Sequence, residues 1–287
     1  MIKLIASDMD GTLLNHQMQI SEENITAINN ALDKGLKFIT ATGRGIIHAE
    51  RALNPTAIRV PMILLNGAQI VNQDRETVYT AAIPQDLAFS VLNHLNDQAI
   101  YAEVFTAEHV YSENQAVREA FLNQNVLDHA PDLTPEELAV QVANVIEELH
   151  TDFVPDIQAE LIKTQEEVLK IIAFDKNGAE ILEKVSADLA DLGDLAITAS
   201  DSTNLEINHK NAQKGVALAH YAQQFDFTSD EIMAIGDNYN DISMLKYAGT
   251  SFAMGNAELP VKEVAKFETA TNEESGVALA IQQILSE

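Results

Sequence analysis

The chain has 287 residues, of which 46% are hydrophobic, and this is enough for one large domain or two modest ones. It contains no cysteine, which excludes a disulfide framework, a thiolate metal site and a cysteine nucleophile. Its 44 acidic residues against 17 lysines and arginines give a formal net charge of −27, and a surface this negative repels a nucleic acid backbone. We therefore expect no nucleic acid partner.

The start of the chain and its hydropathy bear on its location. Residues 1–7 lead directly into Asp8, without the long apolar stretch and the small-residue cleavage site of a signal peptide. No apolar run approaches the length needed to span a bilayer. The sequence therefore predicts a cytoplasmic protein with no membrane partner.

The first third of the chain alternates between strand-like and helix-like patterns. Short apolar runs predict strands at residues 4–7, 36–41 and 61–65. Apolar residues at helical spacing predict one helix at about 21–34 and a second that ends at about Leu53. Strands and helices that alternate in this way indicate a parallel, doubly wound sheet.

The pattern changes to mixed strands and helices between about residues 84 and 208. Pro84 begins a helix that reaches about residue 96, and Thr134 with Glu137 forms a capping box before an amphipathic helix. Strands are expected at 168–174, 195–199 and 205–207, the last two as a pair. No catalytic cluster lies in this segment, which we interpret as an inserted domain.

The alternation of strands and helices returns after about residue 208. The expected elements are a helix at 214–224, a strand at 231–236, a helix that ends near 247, a strand at 250–253 and a C-terminal helix. We therefore predict an α/β fold: a Rossmann-like, doubly wound parallel core formed by residues 1–83 and 209–287, with an α/β domain of residues 84–208 inserted in it.

Four of the predicted core strands end in polar residues suited to one task. These residues are Asp8 with Asp10, Thr42 with Arg44, Asn66, and Asp237 with Asn240 and Asp241. In an open parallel sheet the ligand site lies outside the carboxyl ends of the strands, so residues far apart in sequence meet there. Lys214, at the start of a helix, can join them.

Such a set of carboxylates needs a cation, because the charges otherwise repel one another. Oxygen ligands alone suit a hard ion such as Mg²⁺. Mg²⁺ together with Lys214 would neutralise a phosphate, so that a carboxylate can attack phosphorus. Groups around Thr42 and Gly43 could hold the remaining phosphate oxygens. The reaction class that fits is phosphoryl transfer to Asp8 followed by hydrolysis, with Asp10 placed to give and later take a proton.

Each motif also has a plainer interpretation when it is taken alone. Thr42-Gly43-Arg44 is more often a helix N-terminus than a phosphate site. Most lysines at positions like that of Lys214 are solvated, and residues 236–241 are compatible with an ordinary turn between a strand and a helix. The order, spacing and strand context of all the motifs together favour the catalytic interpretation.

The sequence resembles the haloacid dehalogenase superfamily of phosphohydrolases, and specifically its Cof-type branch with a large α/β cap (type IIB). The resemblance covers essentially the whole chain. It is carried by four stretches: Asp8-Met9-Asp10-Gly11-Thr12-Leu13, Ala41-Thr42-Gly43-Arg44, Lys214-Gly215 and Gly236-Asp237-Asn238-Tyr239-Asn240-Asp241. Three further stretches are typical of the branch: residues 66–68, 253–257 and 271–277.

The resemblance implies a role for each residue of the motifs. Asp8 is the nucleophile and Asp10 the general acid and base, while Thr42 binds the transferring phosphoryl group and Lys214 stabilises charge on nucleophile and phosphate. Asp237 binds Mg²⁺ with Asp8, the backbone carbonyl of Asp10 adds a ligand, and Asp241 supports the metal's water shell and the lysine. Gly43, Arg44, Asn66 and Asn240 are candidate phosphate or substrate contacts. One departure is Gln213, where family members often carry serine or threonine before the lysine.

The expected function is that of a Mg²⁺-dependent phosphatase for small phosphomonoesters, such as sugar phosphates, flavin mononucleotide or pyridoxal phosphate. Two alternatives stay open: a phosphotransferase or mutase with the same intermediate, and a non-catalytic sensor of phosphorylated metabolites. The resemblance implies that the inserted segment is a cap that closes over the core site. The expected partner is a small phosphorylated metabolite, and the expected state is a monomer or a weak homodimer.

Overall fold

The computed structural model describes residues 1–148, 150–175, 179–199 and 203–286. The chain divides into two compact units, of which unit 1 comprises Met1–Ala81 with Asn211–Glu287 and unit 2 comprises Ala82–Lys210. Strands and helices are numbered in chain order through both units. Within the ranges given above, no helix combines the length and the apolar character needed to cross a bilayer.

Unit 1 is built on an eight-stranded sheet with the order β14-β13-β12-β1-β2-β3-β4-β5. Its strands are β1 (Leu4–Asp8), β2 (Lys37–Ala41), β3 (Met62–Leu64), β4 (Gln69–Val71), β5 (Thr77–Thr80), β12 (Ile232–Gly236), β13 (Thr250–Ala253) and β14 (Phe267–Glu268). The strands from β14 to β3 pair in parallel, which confirms the predicted doubly wound sheet.

The sheet of unit 1 also has an antiparallel extension that was not predicted from the sequence. β4 pairs antiparallel with both β3 and β5. β5 has mostly exposed side chains, so it lacks the apolar run by which β1, β2, β3, β12 and β13 were predicted. β4 follows β3 after a single tight turn, Leu65–Gly67. In the sequence, the two short strands look like one apolar segment interrupted by a few polar residues.

In the described part of unit 1, six α-helices accompany the sheet. They are α1 (Glu22–Asp33), α2 (Ile46–Leu53), α8 (Lys214–Gln223), α9 (Ile242–Tyr247), α10 (Leu259–Val264) and α11 (Gly276–Ser286). Helix α1 begins after Ser21, whose side chain accepts a hydrogen bond from the Asn24 backbone N–H. β1 is buried along its whole length, as expected for a central parallel strand with helices over both faces.

Unit 2 contains a second sheet of six strands with the order β10-β11-β9-β6-β7-β8. Its strands are β6 (Tyr101–Phe105), β7 (Val110–Ser112), β8 (Thr151–Phe153), β9 (Lys170–Phe174), β10 (Leu195–Thr198) and β11 (Asn204–His209). Its helices are α3 (Gln85–Asp97), α4 (Gln115–His129), α5 (Pro135–Glu148), α6 (Ile157–Thr164) and α7 (Ala179–Ala190). β7 and β8 are parallel, and the other neighbours are antiparallel.

The two sides of the unit 2 sheet differ in chemistry. Apolar residues of α3 and α7 pack against Val104, Ile171 and Ile207 to form the core of this unit. Alternate residues of the same strands carry buried ion pairs instead, including Lys170 Nζ with Glu206 Oε1 at 2.9 Å. The alternation follows from the pleat, because neighbouring residues of a strand point to opposite faces.

Several local predictions for unit 2 are confirmed, and some of its elements were not predicted. β10 and β11 pair antiparallel, as expected for residues 195–199 and 205–207. The capping box before α5 is formed, since the Thr134 hydroxyl accepts from Glu137 N–H and Glu137 accepts from Thr134 N–H. β6, β7, β8, α4 and α6 were not predicted. All but α4 are short elements of three to eight residues, in which an apolar pattern gives little signal.

Candidate active site

The polar residues that follow the core strands lie at one edge of the unit 1 sheet. Asp8 is the last residue of β1, and β1 lies between β2 and β12. Thr42 directly follows β2, and Asp237 directly follows β12. Because these strands are parallel, their carboxyl ends share one edge. The folding of the sheet thus brings together residues that are far apart in the sequence.

Lys214 is the central cation of this edge. It is the first residue of α8, and its side chain is fully buried. Its Nζ donates to Asp8 Oδ1 at 2.6 Å and to Asp241 Oδ1 at 2.6 Å. Burial alone would lower the pKa of Lys214, but Asp241 and Asp8 outweigh it, so the pKa is raised and the ammonium stays charged.

Close packing of α8 against α9 explains why a glycine follows this lysine. A Cβ on Gly215 would lie 2.3 Å from the Ser243 carbonyl oxygen, so only glycine allows the two helices to approach this closely. The Gly215 N–H in turn donates to Ser243 Oγ at 2.9 Å. The Lys214-Gly215 pair therefore combines a charge with the contact that places it.

Asp241 is held almost entirely by donors of the protein itself. Its side chain is fully buried and its Oδ1 accepts from Lys214. Its Oδ2 accepts from the backbone N–H groups of Asp237 at 2.9 Å and Asn238 at 3.0 Å. With both oxygens engaged, Asp241 suits the supporting role implied by the resemblance, in which it fixes the lysine and the turn that carries Asp237.

Asp8, Asp237 and Asp241 form an acidic cluster in which one carboxylate oxygen from each lies within 4.8 Å of the others. Burial raises the pKa of Asp8 well above its usual range, and Asp241 raises it further against the opposing effect of Lys214. Burial and Asp241 raise the pKa of Asp237 to about 6. Carboxylates whose ionisation is opposed by burial and by one another's charge fit a bound hard cation, and the donor set contains only oxygen. Asp8 and Asp237 are the residues that could hold such an ion.

Asp10 lies outside this cluster and pairs with Arg44 instead. Arg44 Nε donates to Asp10 Oδ2 at 2.8 Å, and Arg44 Nη2 donates to Asp10 Oδ1. The Asp10 side chain is 48% exposed, so its carboxylate can meet solvent and ligand. Arg44 thus holds Asp10 through a bidentate ion pair, although a phosphate contact was predicted for Arg44. The metal-binding role of the Asp10 carbonyl stays a prediction.

Thr42, Asn66 and Asn240 form the other side of the site. The Asn66 backbone N–H donates to the Thr42 carbonyl at 3.0 Å, which joins the ends of β2 and β3. Asn66 adopts a left-handed conformation with φ 61°, a conformation that asparagine tolerates well. Asn240 Nδ2 donates to Asn66 Oδ1 at 3.2 Å. Gly43 follows Thr42 directly, so the candidate phosphate contacts are contiguous on this side.

Thr12 belongs to the first motif, but no role was predicted for it. Thr12 is fully buried, and its Oγ1 donates to Asp237 Oδ1 at 2.6 Å. Gly11 before it has φ +73°, and a Cβ there would lie 2.4 Å from Asp237 Oδ2. The two residues therefore shape the surroundings of Asp237, although they follow Asp8 in the chain. The threonine directly after Asp10-Gly11 was the sequence feature that could have indicated this contact.

Comparison with known proteins identifies the family of this chain. The sequence model of the haloacid dehalogenase-like hydrolases matches residues 5–281. The phosphatase YwpJ of Bacillus subtilis (strain 168) is 33% identical over 99% of this chain and 100% of its own length. The 5-amino-6-(5-phospho-D-ribitylamino)uracil phosphatase YcsE of the same organism is 33% identical over 98% of this chain and 95% of its own length.

A solved structure of a related protein has the same fold. A haloacid dehalogenase-like hydrolase from B. subtilis shares 30% sequence identity and a TM-score of 0.85 with this chain. The match covers 99% of this chain and 100% of the other. This chain therefore belongs to the haloacid dehalogenase-like hydrolases, in their Cof-type branch, and is a phosphatase.

Proposed function

We propose that this phosphatase is Mg²⁺-dependent and hydrolyses small phosphomonoesters through an aspartyl-phosphate on Asp8. The observation that carries the proposal is the position of Lys214 Nζ, which is buried between Asp8 and Asp241. A buried ammonium on a carboxylate at a strand end can orient the nucleophile and offset the charge that gathers on the transferring phosphoryl group. In the same site, Thr42, Asn66 and Asn240 supply hydroxyl and amide groups for phosphate oxygens.

The first half of the reaction forms the covalent intermediate. An oxygen of Asp8 bonds to phosphorus while the bond from phosphorus to the ester oxygen breaks. Asp10, in its acid form, gives a proton to the departing oxygen, so that an alcohol leaves. In the second half, water attacks phosphorus, Asp10 takes a proton from it, and the bond to Asp8 breaks with release of phosphate.

The ion pair of Arg44 with Asp10 is compatible with this proton transfer. A carboxylate offers about four acceptor positions, so the two bonds from Arg44 occupy only part of them. Arg44 thus orients Asp10 while one oxygen exchanges a proton. Mg²⁺, when bound by Asp8 and Asp237, would neutralise carboxylate and phosphate charge, which is the chemistry that the protein's own cations supply only in part.

In the absence of metal, raising the pH is expected to lower the unfolding temperature. The pKa of Asp237 is raised by folding to about 6, from an ordinary value of 3.8. Stability that comes from a raised carboxyl pKa is complete below the ordinary value and is lost as the pH rises through about 6. Mg²⁺ is expected to remove most of this decline, because it binds the ionised carboxylates of the folded state.

Thermal unfolding in chelator and in excess Mg²⁺, at about pH 5 and about pH 8, measures this effect. Asp237→Asn is expected to weaken the metal-free pH dependence, because one of the two carboxyls with a raised pKa, Asp237 and Asp8, is gone. Asp33→Asn, at an exposed position of α1, serves as the matched control and is expected to keep the wild-type dependence. An Asp237→Asn variant that declines with pH as steeply as wild type would contradict the assignment.

The substrate class is inferred from the family and its named members. YcsE and two further relatives are named as phosphatases of 5-amino-6-(5-phospho-D-ribitylamino)uracil, and these two are 30% and 27% identical to this chain. We therefore include that compound with sugar phosphates, flavin mononucleotide and pyridoxal phosphate as candidate substrates. A cytoplasmic location, a monomeric or weakly dimeric state and the role of unit 2 as the family's cap belong to the same proposal.

Phosphate release from this panel is expected to require Mg²⁺. The purified chain should release phosphate in Mg²⁺ and fall by at least about a hundredfold in chelator, with recovery when Mg²⁺ is restored. Equal release with and without metal, from protein freed of bound metal, would contradict the Mg²⁺ requirement. Transfer to an added sugar hydroxyl in place of water would favour the phosphotransferase or mutase alternative. Binding without turnover of any compound would favour the sensor.

A further inference from the structure

The segment that directly follows the candidate nucleophile is fastened by two asparagines from the C-terminal part of unit 1. Asn256, just past β13, donates from Nδ2 to the Gly11 carbonyl oxygen at 2.8 Å. Its Oδ1 accepts from the Asn272 backbone N–H at 3.0 Å. Asn272 Nδ2 donates to the Leu14 carbonyl at 2.9 Å. Side chains more than two hundred residues away thus hold two backbone carbonyls of this segment.

Asn256 is itself tied to the strand that presents Asp237. The turn around it is bonded on both sides, since Met254 N–H donates to the Gly236 carbonyl at 3.0 Å and Glu258 N–H donates to the Asp237 carbonyl at 3.2 Å. The backbone of Asn256 therefore has a fixed place relative to the end of β12. The Asn256 side chain therefore links the end of β12 to the Gly11 carbonyl oxygen.

The Gly11 carbonyl and the Thr12 N–H belong to one planar peptide group, so a bond that fixes the first also orients the second. The Thr12 hydroxyl donates to Asp237 Oδ1 at 2.6 Å. Gly11 itself packs so tightly on Asp237 that no side chain fits there. A rotation of this peptide would therefore move the Thr12 hydroxyl off Asp237 and shift Asp10, which precedes Gly11.

We propose that Asn256 is a positioning residue that holds the Gly11–Thr12 peptide and thereby keeps Asp237 in the orientation needed to bind the metal. The inference rests on the proposed function of the same site and assigns Asn256 a task that acts through Thr12. A purely structural strut would change stability alone, whereas a positioning residue changes metal affinity and turnover. In addition, substituting a positioning residue has little further effect once the group through which it acts has been removed.

A double-mutant cycle between Asn256→Ala and Thr12→Val tests this route. Each single variant is expected to lower kcat by about tenfold, with KM for the phosphomonoester within about twofold, because one positioning hydrogen bond is lost. The double variant is expected to lose only about tenfold to thirtyfold, since both changes break one chain of contacts. Asn256→Asp, which keeps the shape but loses the Nδ2 donor, is expected to resemble Asn256→Ala.

The same four proteins are titrated with Mg²⁺ and followed by the rise of the unfolding temperature, a readout that needs no turnover. The apparent Mg²⁺ affinity is expected to fall by about tenfold in each single variant and little further in the double variant. Asn29→Ala, at an exposed position of α1, is the matched control and is expected to leave kcat and Mg²⁺ affinity unchanged.

Losses that multiply in the double variant would overturn the inference, because Asn256 would then act independently of Thr12. An Asn256→Ala protein with a lower unfolding temperature but unchanged kcat and Mg²⁺ affinity would overturn it as well. If the wild type binds Mg²⁺ but releases no phosphate, the proposed function fails, and the Mg²⁺ titrations alone decide the inference about Asn256.

Discussion

Replacing Asp8 by asparagine is expected to reduce phosphate release by at least about four orders of magnitude while the fold survives. The amide is close in shape to the carboxylate, and its oxygen can still accept the bond from Lys214, but it is not a nucleophile toward phosphorus. The change also removes a buried carboxyl whose pKa is raised by burial and by Asp241, so the folded protein no longer has to bury that charge. The metal-free variant should therefore unfold at the wild-type temperature or above it.

The experiment combines steady-state phosphate release with labelling of the protein by a substrate that carries a radioactive phosphoryl group. Wild type is expected to acquire a label that hydroxylamine removes, and Asp8→Asn is expected to acquire none. Asp33→Asn makes the same chemical change at an exposed position and should keep full activity. Substantial turnover by folded Asp8→Asn protein would exclude covalent catalysis by Asp8.

The second large effect is expected for Lys214→Met. The variant keeps a side chain of similar length, but it leaves Asp8 and Asp241 buried without their shared cation. Removal of one partner of a buried ion pair typically costs about 3–5 kcal/mol. The loss should be smaller at low pH, because protonation of the carboxylates relieves the uncompensated charge. Turnover is expected to fall by at least about a thousandfold.

Urea unfolding at two pH values, with and without Mg²⁺, measures the stability loss, and phosphate release measures the activity. Lys34→Met, at an exposed position after α1, is the control for the loss of one positive charge. A Lys214→Met protein as stable as wild type at neutral pH in chelator would show that the buried contacts of Lys214 contribute little. Retained activity would remove Lys214 from the proposed mechanism.

The strands of the core and the identity of the main site residues were open to prediction from the sequence. Short apolar runs end at Asp8, Thr42 and Asp237. A buried parallel strand needs apolar residues along its length, while the residue at its end does not, so the sequence shows where each strand ends. The Lys214-Gly215 pair is informative only together with the other motifs, because the close packing of α8 on α9 that explains it is a tertiary contact. β5 escaped prediction because its exposed side chains carry no apolar pattern.

The partners of these residues were decided by the tertiary structure. Lys214 reaches Asp8 across 206 positions of sequence, Arg44 pairs with Asp10, and Asn256 holds the carbonyl of Gly11. A hydrogen bond between distant residues depends on how whole strands and helices pack, and no local spacing encodes that packing. The sequence by itself therefore determined the strand ends and the chemical groups placed on them. Only the packing of the strands and helices that carry these groups decided which of them pair as ions or through hydrogen bonds.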